Sequence, residues 1–160
     1  MTEHVRRAVP GDEVHITAMI YELAEFEHAA QECVVTEKQI HTALFGDTPT
    51  AYAHLVEADG EVAAMALWFL NFSTWDGVVG IYLEDLYVRP AFRRRGLART
   101  LLSALAKECV EHDYTRLSWA VLNWNVNAIA LYDDVGGKPQ TEWTTYRVSG
   151  EELTSLAQTP

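Results

Sequence analysis

The 160-residue chain has little cysteine, few basic residues and no long apolar run. Its two cysteines, Cys33 and Cys109, make no disulfide framework, and both stand in helix-like segments. We expect them to be reduced thiols in the core or at the surface. No apolar stretch reaches the ~18 residues of a membrane span. In a signal peptide an apolar segment follows the charged N-terminus, and here no such segment follows it. We therefore expect a soluble cytoplasmic protein without disulfides or a membrane span.

Several motifs of other ligand classes are missing. The chain has no GxGxxG and no Gly-Lys-Ser/Thr, which excludes these two nucleotide-binding signatures. It has no HExxH and no CxxC, and its six histidines show no ligand spacing, so we predict no metal site. The formal net charge of −11 argues against nucleic acid as the main partner. An acidic surface is compatible with a cationic substrate, although it also serves solubility.

The basic residues are concentrated at one place. Five of the twelve lie within eleven positions, namely Arg89, Arg93, Arg94, Arg95 and Arg99. Gly96 stands in this stretch, just before a predicted helix that begins at Leu97. A helix N-terminus presents unpaired N–H groups and a positive dipole end, and glycine allows close approach of a ligand. The pattern predicts a pyrophosphate site, and a solvated loop and helix face is the alternative.

Apolar periodicity and turn signals predict the order β-α-α-β-β-β-α-β-α-β in a single domain, residues 1–160. The predicted strands are 5–8, 51–57, 62–71, 81–88, 116–121 and 141–148. The predicted helices are 12–26, 36–46, 97–109, 127–135 and 151–157. The end signals are Asp12 as an N-cap, a capping box of Thr36 and Gln39, and a hairpin turn at Asp59-Gly60. This order predicts an α/β fold, a mixed sheet with helices on both faces.

Two motifs resemble a known family. Arg93-x-x-Gly96-x-Ala98 after a strand is similar to the acyl-CoA-binding signature of the GCN5-related N-acetyltransferase (GNAT) superfamily, Gln/Arg-x-x-Gly-x-Gly/Ala. The stretch from Asn125 to Gly137, with Ala128, Leu131, Tyr132 and Gly136 at the family's spacing, resembles the second signature. The two stand in the family's order. The resemblance implies acetyl-CoA as co-substrate and a mostly antiparallel sheet of about six to seven strands.

Further segments resemble the diamine acetyltransferase subfamily, which includes spermidine/spermine and thialysine acetyltransferases. They are Glu22-Leu-Ala-Glu-Phe-Glu27, Tyr82-Leu-Glu-Asp-Leu-Tyr87 and Ala120-Val-Leu-Asn-Trp-Asn125. The subfamily has glycines at positions 94 and 98, where this chain has Arg94 and Ala98. The resemblance implies direct attack by a primary amine in a ternary complex. It also implies a small cationic acceptor (polyamine, diamine or thialysine-like) and a homodimer.

The resemblance also implies roles for single residues. Tyr132 is the expected general acid beside the CoA sulfur, and Glu84 is the expected general base, acting through water. A backbone amide of the strand end is expected to stabilise the oxyanion. Cofactor contacts are expected from Leu86, Tyr87, Val88, Arg93, Arg94, Arg95, Gly96, Leu97, Ala98, Arg99, Asn125, Ala128 and Tyr132. Acceptor contacts are expected from Glu25, Phe26, Glu27, Trp75, Glu84 and Asp85.

Other readings of the same residues stay open. The fold also serves acetylation of a protein lysine or N-terminus. The predicted pyrophosphate site around Gly96 and Leu97, which we call the cradle, would alone suit a non-catalytic acyl-CoA-binding module. The presence of both Glu84 and Tyr132 argues against the non-catalytic module. A purely structural role is the alternative for each residue: Tyr132 in the core, Glu84 or Asp85 paired with a loop arginine, and Glu25 and Glu27 on a solvated helix face.

Overall fold

The computed structural model describes residues 2–160, which form two compact units, one ending at Val126 and one beginning at Asn127. The strands of the first unit are β1 (Glu3–Arg7), β2 (Tyr52–Ala58), β3 (Glu61–Ser73), β4 (Val78–Val88) and β5 (Leu117–Trp119). Its helices are α1 (Glu13–Phe26), α2 (Glu37–Phe45) and α3 (Leu97–Glu111), with 3₁₀ turns at Ala30–Glu32 and Pro90–Phe92. Helix α4 (Val126–Asp134) begins at the boundary, and α5 (Gly150–Ala157) lies in the second unit.

The strands form one sheet in the order β1-β2-β3-β4-β5. The first four are antiparallel to their neighbours, and β5 runs parallel to β4. Helices α1 and α2 pack on one face of this sheet, and α3 packs on the other. The predicted mixed, mostly antiparallel α/β arrangement is thereby confirmed.

The central strand β3 is buried through most of its length because helices cover both of its faces. Met65 and Leu67 belong to the core on the side of α1 and α2. Ala66, between them, faces the side of α3. Helix α3 contributes a buried stripe at helical spacing, made of Leu97, Leu101, Leu102, Leu105 and Cys109. The periodicity of α3 therefore predicted its packing correctly.

Two of the local end signals take the expected form. The Thr36 hydroxyl accepts the N–H of Gln39 at 3.2 Å, and the Gln39 side chain accepts the N–H of Thr36 at 3.0 Å, which completes the capping box. In the β2–β3 hairpin, Asp59 and Gly60 are both left-handed, with φ of 55° and 81°. This conformation is that of the two-residue turn which an Asp-Gly pair predicts.

The third signal is only partly right. Asp12 precedes α1, but its carboxylate makes no hydrogen bond to the helix. It accepts hydrogen bonds from Arg6 at 2.7 Å and from the N–H of Val9 at 2.7 Å. The bond from Arg6 holds the pKa of Asp12 below its usual value. The carboxylate therefore joins β1 to the start of α1 instead of capping the helix.

A polar network lies between the sheet and α3, with His54 and Trp68 buried and Arg7 at the surface. The indole N–H of Trp68 donates to Nδ1 of His54 at 3.0 Å, and Nε2 of His54 lies 3.9 Å from a carboxylate oxygen of Glu108. Arg7 binds the other oxygen of Glu108 at 2.7 Å. Burial, followed by the charge of Arg7, lowers the pKa of His54, while Glu108 acts in the opposite direction. His54 is therefore an acceptor for the indole and favours its neutral form.

The predicted sixth strand is wrong. Residues 141–148 form no strand, so the described chain has five strands instead of the expected six to seven. Threonine and aromatic residues favour extended backbone, but a strand also needs hydrogen bonds to a partner. This segment begins in a turn closed by the N–H of Trp143 on the carbonyl of Gln140, at 3.2 Å, and leads into α5 without joining a ladder.

Both cysteines are free, as expected. Cys109 is buried in α3, whereas Cys33 follows the first 3₁₀ turn and is not in a helix. Between residues 2 and 160, none of the helices has the length and apolar character needed to cross a membrane.

Candidate active site

The pairing of β4 with β5 is short and leaves part of β4 uncovered. Only Ile81–Leu83 pairs with Leu117–Trp119, and β4 then continues to Val88 along β3 alone. The chain after Trp119 leaves the sheet. In the described part of the chain, the edge of β4 from Glu84 to Val88 has no strand beside it on that side. Backbone N–H and C=O groups on such an edge can bind a ligand.

A β-bulge lies where this edge begins. Leu83 stands opposite Trp68 and Asp85 stands opposite Leu67, so Glu84 is an extra residue in β4. Because opposite residues share a face of the sheet, Leu83 lies on the α3 face and Asp85 on the face of α1 and α2. Glu84 is exposed and Asp85 is half-buried. The bulge thus reverses the alternation of a regular strand and places Asp85 on the side of α1.

Three carboxyl groups gather near the bulge, and we call Glu27, Glu84 and Asp85 the carboxyl cluster. Burial first, and then the charges of Glu84 and Glu27, raise the pKa of Asp85 to about 6. Burial also raises the pKa of Glu27, which follows α1. A cation placed here would relieve both the desolvation and the repulsion. The cluster is therefore suited to bind an ammonium group or to accept a proton near neutral pH.

The other acceptor residues expected from the sequence lie elsewhere on the surface. Glu25 is exposed near the end of α1. Trp75 lies in the turn between β3 and β4, where 83% of its surface is exposed. The structure thus brings Glu27, Glu84 and Asp85 together but leaves Glu25 and Trp75 open to solvent. Across residues 2–160, no group of three or more His, Cys, Asp or Glu side chains could hold a metal ion.

A row of side chains runs from β4 to the segment after β5. The Arg93 guanidinium lies 5.3 Å from the ring centre of Phe26 and 5.7 Å from that of Tyr87. Its Nε donates to the carbonyl of Val88 at 3.0 Å. The rings of Phe26 and Trp124 are 5.8 Å apart. We call Tyr87, Arg93, Phe26 and Trp124 the aromatic bridge, because they connect β4, α1 and the chain that leaves β5.

Helix α1 ends with an unusual cap. His28 is left-handed with φ of 60°, and the N–H of Ala29 donates to the carbonyl of Ala24 at 2.8 Å. Glycine is usual at this position, and a side chain there costs about 1 kcal/mol. The cap places the His28 ring 5.7 Å from Trp124. Trp124 stood within the quoted segment Ala120–Asn125 but was given no role, and His28 stood in no motif; the available signal for His28 was a helix that ends without glycine.

The basic loop enters α3 through two left-handed residues, Arg94 with φ of 63° and Gly96 with φ of 76°. The N–H of Thr100 donates to the carbonyl of Gly96 at 3.0 Å, so the amides of Leu97 and Ala98 have no acceptor within the helix. A Cβ built on Gly96 would meet no atom within 4 Å among the described residues. Open space, first-turn amides and the helix dipole together fit a pyrophosphate group.

The arginines of this loop differ in their surroundings. Arg95 binds Asp59 at 2.7 Å and Glu3 at 3.0 Å, and so holds the loop against the first strands. Arg94 and Arg99 are exposed beside the cradle. The predicted anion contact of Arg94 is therefore compatible with the structure as it stands, whereas Arg95 would have to leave two carboxylates.

The second signature spans the boundary between the units. Asn125 lies in the first unit, and Ala128 and Tyr132 lie in α4, one helical turn apart and both half-buried. Gly136 and Gly137 follow the end of helix α4. The N–H of Gly137 donates to the carbonyl of Tyr132 at 2.8 Å, and Gly136 has φ of 91°. The spacing of the second signature is thus that of a capped helix.

The family model described as "Acetyltransferase (GNAT) family" matches residues 17–136. The chain belongs to this family and is an N-acetyltransferase that uses acetyl-CoA as its acetyl donor. It is 38% identical over 151 residues to a thialysine N-epsilon-acetyltransferase of Caenorhabditis elegans, with 92% of each chain covered. It is 27% identical over 201 residues to an L-ornithine N5-acetyltransferase of Arabidopsis thaliana, covering 98% of this chain and 88% of the other.

The fold is also that of solved structures. An integron cassette protein from the mobile metagenome of V. cholerae superposes with a TM-score of 0.82 and covers 99% of both chains, at 21% identity. At this identity the likeness concerns the fold alone. It agrees with the five-stranded sheet and flanking helices described above.

Proposed function

We propose that this enzyme acetylates a primary amine of a small acceptor that carries at least one further charged group. Diamines, polyamines and thialysine-like amino acids meet this description. The relative from Caenorhabditis elegans is named for thialysine and the one from Arabidopsis thaliana for ornithine, both amino acids with an amine at the end of a short chain. The carboxyl cluster is the observation in this chain that carries the proposal.

The cluster favours an acceptor with two charged ends. One ammonium must lose its proton to attack, so it cannot also serve as a permanent anchor. A second ammonium can remain charged beside Glu27 and Asp85, where burial has raised both pKa values. A carboxylate–ammonium contact of this kind contributes about 1–3 kcal/mol. A monoamine of the same length lacks this contact.

The proton of the attacking amine needs an acceptor, because an alkyl ammonium has a pKa near ~10.4. We assign this role to Glu84, which is exposed at the bulge and can act through water. Asp85 is its neighbour, and burial, followed by the charges of Glu84 and Glu27, raises the pKa of Asp85 to about 6. Tyr132, in the second signature, is the proposed general acid for the departing thiolate.

The chain offers groups to hold acetyl-CoA, which supplies the activated acetyl group. The amides of Leu97 and Ala98 and the exposed Arg94 and Arg99 are proposed to bind its phosphates. The uncovered edge of β4, over residues 86–88, offers backbone N–H groups to the oxyanion. Asn125 and Ala128, at the start of α4, are proposed as further contacts.

The acceptor proposal is tested with a matched pair of substrates. Release of CoA thiol is measured with 1,5-diaminopentane and with pentylamine, at low and high salt. We expect kcat/KM to favour the diamine at least about tenfold, and the preference to shrink with salt because the contacts are partly exposed. Glu27→Gln should reduce the preference, while Glu111→Gln, an exposed change at the end of α3, should not. Equal kcat/KM for both amines, or activity on peptides alone, would contradict the proposal.

We further propose a cytoplasmic homodimer. The second unit exposes large apolar side chains, including Trp143 at 70% and Tyr146 at 93%. Exposed apolar surface of this kind marks interaction sites. Light scattering should give twice the chain mass of 18.0 kDa. A mass of one chain across the working concentration range would contradict the dimer.

A further inference from the structure

Trp124 is the member of the aromatic bridge for which the sequence motifs predicted no role. It lies in the chain that leaves the sheet after β5, and the bridge connects it to the open edge of β4. Its side chain is 49% exposed, although Phe26 and His28 both contact it. An indole supported on two sides and open elsewhere has a surface available for a ligand.

The turn at the end of α1 joins this ring to the carboxyl cluster. Phe26 and His28 contact Trp124, and Glu27 lies between them in the chain. The charge of Glu27 is close enough to Asp85 to raise the pKa of that carboxyl group. An aromatic surface and an acidic group therefore arise from three consecutive residues. An acceptor with an ammonium at the cluster would extend its remaining chain into the neighbourhood of these rings.

We propose that Trp124 is an acceptor-binding residue, whose indole packs against the alkyl or thioether chain between the acceptor's charged groups. The inference rests on the proposed function and deepens it. Aromatic rings bind alkyl ammonium groups and thioethers favourably, and tryptophan is the strongest of them. Within the aromatic bridge, the ring of Phe26 already binds a cation, the Arg93 guanidinium. Phe26 and His28 are the positioning residues that hold the indole.

The left-handed cap supports a recognition role over simple packing. A glycine after α1 would relieve the backbone strain, but it would remove the ring that contacts Trp124. Strained non-glycine residues are concentrated at functional sites because the surrounding structure must hold them in place. Here the strain supports one side of an exposed indole, which a buried packing contact would not require.

The test uses diamines with three to six methylene groups and compares wild type with Trp124→Ala and Trp124→Phe. Wild-type kcat/KM should rise with chain length as the chain gains contact with the indole. Trp124→Ala should flatten this dependence and raise the acceptor KM roughly tenfold for the longest diamine, and Trp124→Phe should keep most of the slope. Calorimetric affinity for acetyl-CoA should change less than about twofold, since no cofactor contact is removed.

A matched control is available at the far end of α3. Tyr114 and His112 stack at 5.3 Å, the same kind of aromatic–histidine pair. The 15 residues of α3 put this pair about 20 Å from the cradle. Tyr114→Ala should leave the chain-length dependence intact.

The outcomes separate the inference from the proposed function. If wild type acetylates no small diamine, the proposed function fails before any variant is made. If Trp124→Ala lowers kcat/KM by one factor at every chain length, or weakens acetyl-CoA binding instead, Trp124 is a packing residue and the inference is wrong. If the alanine variant does not fold, Trp124→Leu decides, and a slope equal to that of Trp124→Phe would overturn the proposal.

Discussion

Replacing Asp85 by asparagine should make the protein more stable at neutral pH. Burial, and then the charges of Glu84 and Glu27, raise the pKa of Asp85 from 3.8 to about 6. In the unfolded chain the carboxyl keeps its ordinary pKa, so between these two values the folded protein binds more protons. Stability therefore falls as pH rises through this window, and the whole cost is present above about pH 6. The shift of the Asp85 pKa corresponds to a free-energy cost of about 3 kcal/mol for the ionised carboxylate in the folded protein.

Solvent contact and the polar amide reduce this figure, so we expect Asp85→Asn to gain about 1–2 kcal/mol at pH 8. At pH 4 the gain should be close to zero, because the wild-type carboxyl is then protonated in the folded state. Urea unfolding at pH 4, 6 and 8 measures both values, with the exposed Asp47→Asn as control. The same variant should lose at least about tenfold in kcat/KM for a diamine. A gain that does not depend on pH, or a loss of stability at pH 8, would refute the reasoning.

Three further changes test other parts of the structure. Gly96→Val should weaken acetyl-CoA binding at least tenfold, about 1.4 kcal/mol. The reason is that φ of 76° disfavours a β-branched residue and that its side chain would enter the cradle. Unchanged calorimetric affinity in a folded variant would show that this loop does not bind the cofactor. Tyr132→Phe should keep acetyl-CoA affinity and lower kcat by ~10²–10⁴; a full kcat would make Tyr132 structural. Since the pKa of His54 is lowered from 6.5, wild type should lose stability as pH falls below that value, and His54→Gln should lose less in urea titrations at pH 7 and 5. An equal loss in both proteins would contradict the role of His54.

The local parts of the fold were predictable because their causes lie within a few residues. Helix α3 has its apolar stripe at helical spacing, the capping box of Thr36 and Gln39 needs only four residues, and Asp59-Gly60 fits its turn without help from elsewhere. The missing strand at 141–148 shows the opposite case. Its residues favour extended backbone, but whether a ladder forms depends on a partner that local sequence does not specify.

The candidate site divides in the same way. The cradle around Gly96 follows from a glycine before a helix and from the family signature. The engagement of Arg95 by Glu3 and Asp59 could not be predicted, because these residues are far apart in the chain. The contact between Phe26 and Trp124 likewise depends on how α1 and the chain after β5 meet.

The bulge at Glu84 decides which side chains of β4 face α1 and which face α3. Before it, Leu83 belongs to the α3 side of the sheet; after it, Tyr87 belongs to the core under α1 and α2. If Glu84 instead joined the ladder opposite Leu67, regular alternation would return and the two faces would be exchanged over the rest of the strand. Asp85 and Tyr87 would then turn toward α3, away from Glu27. Deleting Glu84 would remove the bulge but leave Asp85 opposite Leu67, so the side chains between the bulge and the cradle would keep their faces.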